Sequence, residues 1–331
     1  MRLVVVANGA FAVPTLEALC ESRHQVVGVV TRPAPPSVGR RPVCRPVWQA
    51  ATARGLVVFE PATINDPASV EWLRNRQADL LVVCDYGEIL RKTVLEESAP
   101  LGAVNLHGSL LPKYRGAAPV AWAIFNGEVQ TGVSVIRITP RLDAGPILVQ
   151  RATNIGPDET TPELEARLAK LGAEAVLEAL SLLENWDGHS PLGTPQDPRQ
   201  VTLAPRLTRS MGCIDWSWPA ETIRNHVRAM VPWPGSFTWW VSGQRASKPM
   251  RLILHRVQAV AGSSGEKPGT VVHAGQGGLR VQAGEGTAVD IQQLQPEGRR
   301  PMPAEAFLRG YPIRAGDLLT NEPAEQSPRE S

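Results

Sequence analysis

Apolar strand-like runs at Leu3–Ala7, Val26–Val30, Val57–Phe59, Leu80–Cys84 and Val104–His107 alternate with helical patterns at Ala12–Cys20, Val47–Ala53 and Val70–Asn75. A strand that is apolar along its whole length is buried on both faces, and helices between such strands are the crossovers of a parallel sheet. The first part of the chain therefore reads as α/β: a doubly wound, mostly parallel, Rossmann-like sheet. A helix is expected over 117–126 and further strands at Gly132–Ile138 and Pro146–Gln150. Thr161-Pro162 supplies an N-cap and a first-turn proline for a helix in which Leu164, Leu168, Leu171 and Ala175 share one face.

From Asp187 to Pro205 the chain turns Pro- and Gly-rich and loses apolar periodicity, the pattern of a linker. Beyond it, Ala220–Met230 looks helical. Short strand-like runs follow at Thr238–Val241, Arg251–Ala259, Gly269–His273, Leu279–Ala283 and Ala288–Leu294, separated by Gly-rich turns, which suggests a small OB-like β-barrel. The expected organisation is a catalytic domain over 1–188, a linker over 189–205, a barrel domain over 206–319 and a disordered polar tail over 320–331. Trp233 and Trp239 are read as core aromatics of the barrel.

A chain of 331 residues has room for two cores. No apolar run approaches the roughly 18 residues a membrane span needs, and Leu3–Ala7 is too short for a signal-peptide core. Cys20, Cys44, Cys84 and Cys213 form no CxxC pair, so neither a disulfide framework nor a zinc knuckle is indicated and a reducing cytoplasm is the natural compartment. Residues 1–190 carry 18 Lys and Arg against 20 Asp and Glu, whereas residues 191–331 carry 16 against 12, so a net +4 gathers in the C-terminal part. That excess is compatible with a polyanionic partner.

The chemistry concentrates in the run from Asn105 to Gly116, followed by Leu142-Asp143-Ala144-Gly145. Alternation along a strand ending at His107 points Asn105 and His107 to one face, and Gly108 then lets the backbone turn at the strand's carboxyl end, where open α/β sheets bind ligands. Ala7-Asn8-Gly9-Ala10-Phe11 lacks the GxGxxG spacing, and no Walker loop is present. The six histidines show no HExxH, nor HxE with PCxxC, so no metal is expected. Ser109 lacks the GxSxG elbow of a nucleophile and is read as ligand-contacting or turn-capping. Asp143 either caps its own glycine-rich turn or reaches the same spot as His107. An Asn, His and Asp without a nucleophilic Ser or Cys suit attack by an external nucleophile on a carbonyl. Asn105 and His107 would donate to the oxyanion, and Asp143 would take the proton the attacking group loses.

These residues resemble the formyltransferase family that uses 10-formyltetrahydrofolate, and the likeness runs from Met1 to about Leu319. It implies that Asn105, His107 and Asp143 are the catalytic trio. By the same resemblance Ser109, Leu110, Leu111 and Pro112, with Tyr86, Ile89 and Leu90 of the loop 85–90, line the folate site. The Pro-rich segment Thr31 to Trp48, with Arg32, Arg40, Arg41 and Arg45, resembles the basic insertion that meets the acceptor stem in the branch formylating methionyl initiator tRNA. Ile214-Asp215-Trp216, the segment Val231 to Gly235 and the segment Leu294 to Gly298 resemble that branch's second domain. The partners implied are charged initiator tRNA and folate, with no membrane and no metal, in a cytoplasmic monomer.

The chain departs from the family pattern in three places. Ala7-Asn8-Gly9-Ala10 stands where Gly-Thr-Pro and an acid usually precede Phe-Ala-Val-Pro; Pro140-Arg141 replaces a common turn before Leu142-Asp143; and the usual Lys-Glu is missing from Arg206 to Gly212. A sugar amine or water could replace the tRNA amine as acceptor, although a formyltetrahydrofolate hydrolase usually carries a regulatory domain before the sheet. A non-enzyme alternative is a folate- and RNA-binding protein with a decayed site, against which the complete trio speaks.

Overall fold

A computed structural model describes residues 1–34, 44–241, 249–262 and 265–322. Two compact units emerge: Met1–Val120, Val129–Ile155 and Glu163–Arg206 form the first; Ala121–Glu128, Gly156–Pro162 and Leu207–Ser331 form the second.

The chain runs through β1 (Arg2–Ala7), α1 (Val13–Glu21), β2 (Gln25–Val30), α2 (Pro46–Ala53), β3 (Val58–Phe59), α3 (Pro67–Asn75), β4 (Leu80–Cys84), α4 (Lys92–Glu97) and β5 (Ala103–His107). It continues through β6 (Arg115–Gly116), α5 (Pro119–Phe125), β7 (Gln130–Arg137), β8 (Ile147–Asn154), α6 (Thr161–Glu184) and β9 (Leu203–Ala204). Seven strands pair in the order β3-β2-β1-β4-β5-β7-β8. The first five lie parallel, in keeping with the mostly apolar sequences of β1 and β4 at their centre. β7 and β8 run antiparallel on one side. Leu3 to Ala7 and Leu80 to Cys84 are all buried, so β1 and β4 form the centre of this core. Strand order reverses between them, and the crevice at their carboxyl ends is where such sheets bind ligands.

Residues 189–205 are not a free tether. Thr194 exchanges main-chain hydrogen bonds with Ile147 (both 2.8 Å), and β9 pairs parallel with β6. The Pro- and Gly-rich composition that suggested a linker reflects extended backbone whose partners lie 47 to 88 residues earlier.

In the second unit, α7 (Ala220–Ala229) precedes β10 (Ser236–Val241), β11 (Met250–Ala261), β12 (Val271–Gly275), β13 (Gly278–Gln282), β14 (Thr287–Pro296), β15 (Met302–Pro303), α8 (Ala304–Gly310) and β16 (Leu318–Thr320). The sheet order is β12-β13-β14-β11-β10-β16. Its two edges meet: Leu319 N donates to Gly269 O and Val271 N to Asp317 O, both at 2.8 Å, which curls the sheet into a barrel. Trp216, Ile223, Val227, Trp240, Leu252, Leu254, Leu294 and Phe307 belong to its core. β16 extends the barrel to Thr320, one residue into the expected tail, and the tail from 323 lies outside the described residues. The two tryptophans read as core aromatics are not core: Trp233 is 54% exposed, and Trp239 sits half-buried on the outer face of β10.

Candidate active site

β5 carries Asn105 and His107 on one face, its register fixed by β4 and β7: Asn105 lies opposite Val83 and Ile136, and His107 opposite Ser134. Asn105 is half-buried, and its carboxamide makes no hydrogen bond among the described residues. That leaves both its donors for a ligand.

His107 is buried, and its Nε2 lies 2.8 Å from Tyr114 O. A carbonyl oxygen only accepts, so Nε2 carries the hydrogen and Nδ1 is left to face Asp143. The Asp143 Oδ2 atom stands 3.8 Å from Nδ1, too far for a hydrogen bond, and accepts one instead from Gly116 N at 2.9 Å. The main chain therefore orients both groups: the Tyr114 carbonyl fixes the imidazole, and the Gly116 amide fixes the carboxylate. With Nε2 engaged, a donor from His107 to a substrate oxygen has to come from Nδ1.

Sequence reasoning missed the frame that holds these main-chain groups. Gly116 has a φ of 128° and a Cβ there would lie 2.4 Å from Ala204 O, so only glycine allows β6 to meet β9. Tyr114, itself at φ 62°, donates its N–H to Thr202 Oγ1 at 2.8 Å. Gln196 joins the two loops. Its Nε2 donates to Asp143 O and Gly145 O (both 2.8 Å), while its Oε1 accepts from Arg115 Nε and Nη2 at 3.1 and 2.7 Å. On the other side, Ser134 Oγ donates to Ser109 O and accepts from Leu111 N and Gln150 Nε2. Nothing local in sequence flags a Gln inside a Pro-rich stretch; only the fold returns it to the site.

The residues expected around folate divide. Ser109 is buried and its hydroxyl donates to Lys113 O at 2.7 Å, so it closes its own turn. Leu111 is buried, Leu110 and Pro112 are half-buried, and Gln150 Nε2 holds Leu111 O at 2.8 Å. Tyr86 and Leu90 belong to the core of the sheet, whereas Ile89 between them is 62% exposed. Burial pushes the Tyr86 hydroxyl up to about 12 and leaves it without a partner among the described residues.

Asp85, in left-handed backbone (φ 48°) just after β4, places its carboxylate against Gly9 at the end of β1. A Cβ on Gly9 would lie 1.8 Å from its Oδ2, so the unusual Gly9 and the carboxylate fit each other. Nearby, Thr31 Oγ1 donates to Asn8 Oδ1 at 3.0 Å. Asp85 and Glu165 of α6 are each open to solvent on one side and walled by protein on the others. The lost solvation pushes Asp85 up to about 6 and Glu165 up to about 7, the latter aided by the charge of Asp85. Because the folded state holds these protons more tightly than the unfolded one, stability contributed by the protonated forms is present below about pH 4 and is lost as pH rises to 6–7. Asp85→Asn should therefore raise the melting temperature at pH 8 and leave it nearly unchanged at pH 3. Equal shifts in melts at the two pH values would refute this.

Of the four arginines expected at tRNA, Arg40 and Arg41 lie outside the described residues. Arg32 is exposed, with Nη1 3.4 Å from Gly87 O. Arg45 is already engaged, paired with Glu60 and stacked 4.8 Å over Trp48 at the start of α2. Among the described residues no group of three or more His, Cys, Asp or Glu is placed to hold a metal ion, and no helix is long and apolar enough to cross a membrane.

Residues 1–180 match the family described as formyl transferase, and residues 206–312 match its C-terminal domain. The methionyl-tRNA formyltransferase of Rhodopirellula baltica is 44% identical over 96% of this chain and 96% of its own length; that of Solibacter usitatus is 41% identical over 96% and 98%. In fold, the chain resembles the crystal structure of HypX from Aquifex aeolicus in complex with tetrahydrofolic acid, with a TM-score of 0.56 and 18% identity over 93% of this chain, which spans under half (46%) of that protein. The chain belongs to the formyl transferase family and matches methionyl-tRNA formyltransferases over 96% of its length.

Proposed function

We propose that this enzyme transfers a formyl group from 10-formyltetrahydrofolate to the α-amino group of methionyl initiator tRNA, with Asn105, His107 and Asp143 as its catalytic residues. The observation that carries the reading is an imidazole nitrogen and a carboxylate 3.8 Å apart at the end of β5, with an uncommitted amide two residues earlier on the same face of that strand. The residues present suit a folate donor. Asn105 offers donors to a formyl oxygen, and one strand away the apolar Ile89 stands 62% exposed beside the crevice.

In this reading Asn105 Nδ2 donates to the formyl oxygen as the amine adds to the formyl carbon, stabilising the tetrahedral oxyanion where it develops. A free α-amino group has a pKa of about 7.7–8.0, and an esterified one lies lower, so the neutral nucleophile is accessible near pH 7. Asp143 accepts the proton released when nitrogen becomes bonded to carbon, while the Gly116 amide keeps its carboxylate in place. His107 Nδ1, facing that carboxylate, carries the proton toward the departing N10 of tetrahydrofolate as the C–N10 bond breaks. In the same reading the reaction takes place in the cytoplasm, with the monomer as the working unit.

The test uses purified protein and 10-formyltetrahydrofolate with methionyl initiator tRNA, an amino-sugar nucleotide or water as acceptor. Formylated Met-tRNA is the expected product. Turnover with the amino sugar or water but not with Met-tRNA would reject the reading.

A further inference from the structure

The outer face of the barrel carries a groove unrelated to the trio. Residues directly opposite in an antiparallel pair share a face, so Trp239 of β10 and Arg251 of β11 stand side by side, with Phe237 diagonal to Arg251. The inward neighbours Ser236, Thr238, Trp240 and Leu252 are buried, which leaves the aromatic pair on the solvent side, where a sheet normally shows polar side chains. Arg209, Phe237, Trp239, Arg251 and Glu297 line an open groove of about 280 Å³. That is close to the lower end of small-ligand sites, about 300 Å³.

Two features of the groove point to a ligand. The Arg251 guanidinium lies 3.9 Å over the Phe237 ring, which fixes its plane, yet its Nε is buried without a hydrogen-bond partner. Neither Arg251 nor Arg209 has a carboxylate partner among the described residues, although Glu297 lies in the same groove. A rigid guanidinium with unused donors suits a phosphate, and a half-exposed indole beside it suits the face of a base. Both belong to one nucleotide. The net +4 of residues 191–331 is the matching long-range charge.

We propose that this groove binds one unpaired nucleotide of the RNA acceptor, its base stacked on Trp239 and its phosphate held by Arg209 and Arg251. Glu297 then faces the base edge, where it accepts from an exocyclic amino group. The inference rests on the RNA-acceptor reading above for its partner, but on separate residues.

The experiment measures binding of the full chain to a fluorescein-labelled cytidine hexanucleotide by anisotropy across a potassium chloride series, with Met-tRNA formylation assayed in parallel. Trp239→Ala should weaken binding roughly 5- to 150-fold with the salt slope unchanged, because stacking releases no counterions. Trp239→Phe, which keeps an aromatic face, should restore most of the affinity. The Arg209→Gln, Arg251→Gln double variant should reduce the log–log salt slope by about 0.7, the share of the one phosphate they hold. Thermal melts of each variant establish that the fold is retained. Wild-type affinity and slope in all three variants would overturn the proposal, as would equal competition by polyglutamate, which offers charge without a base. Wild-type protein that binds the hexanucleotide through Trp239 but does not formylate Met-tRNA would leave the groove standing and reject the acceptor reading; the reverse pattern would reject only the groove.

Discussion

Replacing Asn105 by Ala should lower turnover by roughly 10²–10³, about 2.7–4 kcal/mol of barrier, while the KM for the folate donor changes little. The amide makes no hydrogen bond to the protein among the described residues, so its removal leaves no internal group unpaired and the sheet intact. An effect confined to kcat is the signature of an interaction made only in the transition state. Single-turnover formylation of Met-tRNA with saturating donor measures it directly, and a rate within a few-fold of wild type would remove Asn105 from the mechanism. Asn105→Asp is a sharper control. It keeps the shape, replaces the donor by an anion facing an oxyanion, and should be at least as slow as the alanine variant.

Asp143 should separate charge from architecture. Its carboxylate has two neighbours, the Gly116 amide at 2.9 Å and His107 Nδ1 at 3.8 Å. Asp143→Asn keeps an acceptor for the Gly116 N–H but loses the base, so turnover should fall by about 10²–10⁴ with the melting temperature nearly unchanged. Asp143→Ala loses the acceptor too, and a hydrogen bond to a charged group is typically worth about 1.5–3 kcal/mol, so this variant should be both inactive and less stable. Retained activity in the asparagine variant would mean that Asp143 only braces its loop. Its positive φ of 47°, in a loop also held by Gln196, makes that structural role real, and the pair of substitutions tells the two roles apart.

Much of the first unit was readable because burial on both faces of a parallel strand leaves a signal within five or six residues. Leu3–Ala7 and Leu80–Cys84 are strands for that reason, and the strand carrying Asn105 and His107 ends at the expected residue. The helix from Thr161 follows in the same way from its cap and its apolar face. Trp239 was misread because an aromatic in a strand is equally at home on either face, and only the register of β10 against β11 turned it outward.

By itself the sequence determined which residue types stand at the end of β5 and that a carboxylate follows in a glycine-rich turn, because strand periodicity and turn chemistry act over a few neighbouring residues. Tertiary structure alone decided what orients them. Tyr114 O claims the imidazole, Gly116 N claims Asp143, and Gln196 ties both loops from more than fifty residues away. In each of these hydrogen bonds a side chain meets a main-chain group of another segment, and any residue type can supply a carbonyl or an amide. Such contacts leave no mark on composition, and they exist only once β6 and β9 have paired.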